Sequence, residues 1–225
     1  YNGLMTFTEE LLVAILDQVF GSREIVYKKE KIGFHPPFRR VRFADGLKEY
    51  ADVDMHGENV DWMAVAKKKG LEPDVSWGRG KIFDELFKKF VRPNLIQPTF
   101  LVDHPIELSP LAKKHREHAG EVERFQLICG GEFELCNAFS ELNDPWDQAQ
   151  RFRDQEDLRK AGDDEAQRFD QDYVDALSVG MPPTAGFGMG IDRLVSILMN
   201  TENLKEVILF PTLKPEDSDQ EKKHD

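Results

Sequence analysis

The chain has 225 residues, 30 of them Lys or Arg and 42 Asp or Glu, for a net charge of −12. That is long enough to bury a core, and the 40% apolar content argues against disorder. The longest apolar run, Leu11 to Leu16, is six residues, against roughly 20 for a membrane-spanning helix, and two cysteines exclude a disulfide scaffold or a four-cysteine zinc site. Leu4, Phe7, Leu11, Ile15 and Val19 recur at helical steps before Gly21, so Leu4 to Phe20 is predicted as a helix. Short strands come next at Ile25–Tyr27, Ile32–Phe34 and Arg39–Phe43, the last two separated by Pro36-Pro37. Short helices are expected over Asp45–Tyr50, Asn59–Lys69 and Lys81–Phe90. Gln97–Val102 is extended. Phe125–Cys129 and Phe133–Leu142 form a hairpin through Gly130-Gly131. Asp144 caps and Pro145 opens a polar helix to about Ala161. Asp172–Val179 is a further helix, Thr184–Gly190 a glycine-rich strand feeding a helix over Ile191–Met199, and Val207–Phe210 a last strand before a charged tail.

A Gly-Gly hairpin with helices that do not alternate strictly with strands implies an α+β fold, an antiparallel sheet flanked by helices. No linker divides the chain, so residues 1–225 read as one unit, with 213–225 expected to fray. The acidic balance makes the chain a poor general nucleic-acid binder, and any RNA contact is expected through a local patch. The cysteine usage and the start at Tyr1-Asn2-Gly3, without a basic-then-apolar segment, imply a reduced cytoplasmic protein.

Three segments could carry chemistry. In Glu134 to Asp144, strand alternation puts Asn137, Phe139 and Glu141 on one face and Cys136, Ala138, Ser140 and Leu142 on the other. A row of amide, ring and carboxylate could bind a cationic, partly aliphatic ligand, although polar residues are what the solvated face of an antiparallel sheet ordinarily carries. In Pro183 to Leu194, Gly186, Gly188 and Gly190 clear one face of a strand, so a flat ligand can lie against the backbone. Asp192 and Arg193 sit in the first turn of the next helix, where Arg193 can fork onto a phosphate. The spacing is neither a dinucleotide fingerprint nor a P-loop. The third segment, Gln97 to Lys114, reads as a rigid proline-flanked loop around Glu107. Within it, His104 has no metal-ligand spacing to another His or Cys and reads as a loop histidine.

Together these segments resemble class II lysyl-tRNA synthetases. The resemblance rests on Ser109–Lys114, on Asn137–Asp144, on Pro182–Arg193 and on the ending Val207–Pro215, and it is stronger from Leu95 onward than over Glu24–Lys89. It implies the class II catalytic-core fold, ATP as a substrate with Mg²⁺, and a ligase that makes lysyl-adenylate and passes lysine to the 3′ end of tRNA(Lys). It implies that Asn137, Phe139 and Glu141 bind lysine, with Glu141 on the ε-ammonium. Glu134, Gly186, Gly188, Gly190, Asp192 and Arg193 would bind ATP, with Arg193 catalytic on the terminal phosphate and Glu134 holding the metal.

The departures are as specific. The resemblance places a second metal carboxylate where this chain has Gln126, and an amide is a weaker ligand for a hard cation. One extra residue stands between Gly131 and Glu134, so a bulge is needed to bring Glu134 onto the face of Asn137. The first two signature motifs of the family, including the one that builds its homodimer interface, would precede Tyr1. The chain is therefore expected to be the C-terminal part of a catalytic domain, inactive by itself. Two other readings stay open: a paralogue that lysylates a protein, and a non-catalytic synthetase-like binding fragment.

Overall fold

The computed structural model describes residues 1–163 and 166–211; the tail expected to fray, and the last residues of the Val207–Pro215 segment, lie outside that range. Helix α1 (Asn2–Ile15) runs on as a widened π turn over Leu16–Phe20 and stops at Gly21, whose φ of 79° supplies the left-handed cap. Strands β1 (Glu24–Tyr27) and β2 (Glu30–Gly33) make a separate hairpin. The main sheet begins at β3 (Arg39–Arg42). Helices α2 (Phe43–Ala51), α3 (Trp62–Lys68) and α4 (Arg79–Leu86) come after it. Phe43, expected to end a strand, instead opens α2, because its ring is buried against Phe87 with centroids 5.4 Å apart.

The second half supplies β4 (Thr99–Pro105), β5 (Glu121–Cys129), β6 (Phe133–Ser140), helices α5 (Pro145–Lys160) and α6 (Gln171–Val179), then β7 (Ala185–Met189) and α7 (Ile191–Leu198). The five strands order as β3-β4-β5-β6-β7. The pairings from β4 to β7 are antiparallel, as expected; β3 lies parallel to β4, which the helical crossover of α2–α4 between them permits. The expected strand at Val207–Phe210 is absent. A tight turn over Leu204–Glu206 precedes it, no strand pairs with it among the described residues, and Phe210 is 92% exposed.

Each face of the sheet has its own cover. On one, α1, α7 and the β1–β2 hairpin bury Phe100, Phe125, Leu127, Leu135, Cys136 and Ala138. On the other, α2 and α4 bury Leu101 of β4 and Ile128 of β5 beneath Phe43, Leu47, Phe83 and Leu86. That second cover does not extend across β6 and β7, where Asn137 and Phe139 are only half-buried. Among the described residues no helix is long and apolar enough to cross a membrane.

Candidate functional site

The open part of the sheet is a trough floored by β5, β6 and β7. Asn137 pairs in register with Gly188 and Phe139 with Gly186, and directly opposed residues share a face. The glycine-cleared side of β7 is therefore the side on which Asn137 and Phe139 project. Phe187 and Met189, between the glycines, turn the other way and pack on the core. A Cβ at Gly188 would find only the Asn137 carbonyl oxygen, 3.9 Å away, so this stretch of floor is bare backbone. A Cβ at Gly186 would collide with the Glu141 carboxylate, which thus lies across that glycine.

Glu141 sits just beyond the end of β6, held by a bridge to Ala112 and by its N–H donating to the Thr184 carbonyl at 2.9 Å. Its carboxylate makes no hydrogen bond or ion pair among the described residues, and partial burial pushes its pKa up. An unpaired, partly desolvated carboxylate is poised to take a cation. Asn137 Oδ1 accepts from Arg124 Nε at 2.8 Å, which leaves the Asn137 NH₂ as the outward group. Arg124 also donates to the Leu108 carbonyl and to Ser109 Oγ, both at 2.8 Å, tying the 108–112 loop to the sheet. From the other side the buried Arg151 of α5 donates to the carbonyls of Ser109 at 3.2 Å and Ala112 at 2.6 Å. Ser109, Ala112, Arg124, Asn137, Phe139 and Gln167 line a depression of about 120 Å³.

The bulge demanded by the extra residue is present. The β5–β6 register shifts so that Cys136 opposes Leu127 and Glu134 opposes Ile128, which leaves Leu135 out of the ladder and buried in the core. Glu134 thereby joins the face of Asn137. The bulge also anchors the segment that leaves β7: the Leu135 carbonyl accepts from Gly190 N at 2.9 Å, and the Glu134 carbonyl from Arg193 Nη1 at 3.0 Å. Arg193 is exposed and lines a second depression, of about 370 Å³, with Arg92, Phe133 and Glu134. Asp192, beside it in the first turn of α7, is exposed. Thus Arg193 and Glu134 share one hollow, Asn137 and Phe139 another, and the bare floor at Gly188 lies on the face of Asn137 and Phe139.

The sequence reading missed two residues here. His104 is no loop residue: β4 continues through it to Pro105, it is 2% exposed, and its Nε2 stands 3.0 Å from Gln126 Oε1. Burial and the nearby Arg124 guanidinium pull its pKa down to about 3, so the ring is neutral. Arg124 gave one signal, since it precedes Gln126 by two residues on the same strand. Glu134 fits a divalent cation as a hard oxygen ligand. Gln126 does not, because its amide nitrogen faces Glu134 at 2.7 Å and its oxygen faces His104.

The chain that carries this glycine floor, arginine and carboxylate belongs to a known family: the model for tRNA synthetases class II (D, K and N) matches residues 1–214. Among curated relatives, the lysine–tRNA ligase of Fervidobacterium nodosum is 48% identical over 217 residues, covering 96% of this chain and 42% of that protein. The lysine–tRNA ligases of Porphyromonas gingivalis and Aquifex aeolicus are 45% and 46% identical, again over 96% of this chain, and over 37% and 36% of their own lengths. The chain thus spans about two fifths of the length of the curated relatives it matches.

Proposed function

We propose that the natural full-length protein is a lysine–tRNA ligase, with this chain the C-terminal part of its catalytic domain. The observation that carries the reading is the Glu141 carboxylate at the end of the Asn137–Phe139 row, without a hydrogen-bond or ion-pair partner among the described residues. That geometry suits lysine: Glu141 for the ε-ammonium, the Phe139 ring for the aliphatic stem, the Asn137 NH₂ for an acceptor on the ligand. The bare backbone at Gly188, between the Glu141 carboxylate over Gly186 and the Arg193 side chain beside Gly190, gives the nucleotide base a flat seat. Asp192 and Arg193 close that seat at the start of α7, and the Arg193 guanidinium, with one N–H engaged on the Glu134 carbonyl, keeps its other donors for phosphate.

With both substrates so held, the lysine carboxylate oxygen attacks the α-phosphorus, the bond to the β-phosphate oxygen breaks, and pyrophosphate leaves. A terminal ribose hydroxyl of tRNA(Lys) then attacks the acyl carbonyl and AMP leaves. Neither step needs an enzyme nucleophile; placement and charge neutralisation carry both. Mg²⁺, held by Glu134 with the nucleotide, would supply charge neutralisation on the phosphates. The resemblance extends to a homodimer acting in the cytoplasm, for which the two buried, unpaired cysteines are the compatible feature.

The test is amino-acid-dependent ATP–pyrophosphate exchange by the natural full-length protein with lysine, aspartate and asparagine in turn, then charging of tRNA(Lys). Exchange with lysine alone, and then charging, is expected. Exchange driven by aspartate or asparagine would overturn the lysine assignment. Lysine exchange without tRNA charging would favour acyl transfer to a protein.

A further inference from the structure

The Glu134 carboxylate is held from behind by a relay across three strands. Glu134 Oε2 accepts from Gln126 Nε2 at 2.7 Å, and Gln126 Oε1 lies 3.0 Å from His104 Nε2. A carboxylate can only accept, so it fixes which way round the Gln126 amide sits: nitrogen toward Glu134, oxygen toward the histidine. His104 Nε2 then carries the ring proton and donates it. His104 comes from β4, Gln126 from β5 and Glu134 from β6, and the bulge at Leu135 is what turns Glu134 toward the other two. Both ends of the Gln126 amide are engaged, so its oxygen is not offered to a cation. No hydrogen bond among the described residues engages Glu134 Oε1.

We propose that His104 is a positioning residue that acts through Gln126 to pin one Glu134 oxygen, so that the nucleotide hollow presents a single carboxylate oxygen to a single divalent cation. Gln126 takes up the space of a second ligand and spends its polarity inward, on orientation. The inference rests on the nucleotide reading of this hollow but not on lysine or tRNA.

Mn²⁺ with a non-hydrolysable ATP analogue tests it in the natural full-length protein. Water-proton relaxation distinguishes Mn²⁺ on the protein from Mn²⁺ on free nucleotide. The unmodified protein is expected to take one Mn²⁺ per nucleotide. His104→Met, which fills the space without a donor, should weaken Mn²⁺ binding by about tenfold, the scale of losing an outer partner of a metal ligand. His104→Gln, which returns an N–H near the Nε2 position, should restore most of it. Gln126→Glu should tighten Mn²⁺ binding or add a second ion. Equal binding by His104→Met and His104→Gln, or unchanged binding by Gln126→Glu, would overturn the proposal. If His104→Met does not fold, Gln126→Met at its half-buried position removes the same link, and undiminished Mn²⁺ binding there would overturn it as well. Failure of the unmodified protein to bind Mn²⁺–nucleotide at all would instead remove the nucleotide reading. Loss of lysine preference alone would leave this result standing.

Discussion

One face of the main sheet is finished in two ways. Over β4 and the far end of β5, Leu101 and Ile128 are wholly buried beneath α2 and α4. Over β6 and β7 the same face carries Asn137, Phe139, Gly186 and Gly188 with no such cover. Gln126 stands at the seam, two residues before Ile128 on the same strand and level with Asn137. Fully burying a large aliphatic side chain is worth about 1.5–3 kcal/mol; the open half forgoes that gain and keeps polar groups near its surface. The same pleat thus builds both the fold and the site, and what differs is whether a helix lies on top.

If the two halves do separate stability from chemistry, substitutions in each should have distinct signatures. In the open half, Arg193→Ala should lower adenylate formation by about 10²–10³-fold, equivalent to roughly 3–4 kcal/mol of electrostatic stabilisation. Melting temperature should hold, because among the described residues the exposed guanidinium makes one hydrogen bond, to the Glu134 carbonyl. Unimpaired pyrophosphate exchange would return Arg193 to the ordinary surface. In the closed half, Ile128→Ala should cost about 2–5 kcal/mol of stability while the lysine KM of the folded fraction stays put. A lysine KM that moved with stability would mean that the halves are coupled.

The two glycines of β7 divide the open half more finely. Gly188→Ala meets no protein atom closer than 3.9 Å, so melting should barely change while the ATP KM rises. Gly186→Ala displaces the Glu141 carboxylate, so the lysine KM should rise instead. The same KM pattern from both would contradict separate seats. The smallest effect concerns pH. If Glu141 takes the ε-ammonium as proposed, lysine binding needs it ionised, and because burial raises its pKa, lysine affinity should fall as pH drops into the upper carboxylate range. Glu141→Gln should flatten that dependence.

Much of this site was legible in the sequence because strand alternation is strict. Asn137, Phe139 and the Gly186–Gly188 pair could be placed on common faces from spacing alone, and the one-residue surplus before Glu134 announced the bulge. His104 was not legible. The adjacent Pro105 suggested a loop, yet proline is tolerated at a strand end, and the pairing of β4 with β5 that brings His104 to Gln126 spans 22 positions. The parallel β3–β4 edge was hidden for the same reason, since register between distant strands has no local signature. Val207–Phe210 misled in the opposite sense: its apolar residues fit a strand, but no described strand lies alongside to pair with it.

The most direct test of the site is the effect of Glu141→Gln on the kinetics of pyrophosphate exchange in the natural full-length protein. The substitution keeps the size of the side chain and removes its charge. Leaving one partner of a desolvated ion pair unmatched costs roughly 3–5 kcal/mol, so lysine kcat/KM should fall by about 10²-fold or more, while the ATP KM stays near that of the unmodified enzyme. A lysine kcat/KM within a few-fold of the original, or an equal loss for lysine and ATP, would contradict the assignment of Glu141 to the ε-ammonium.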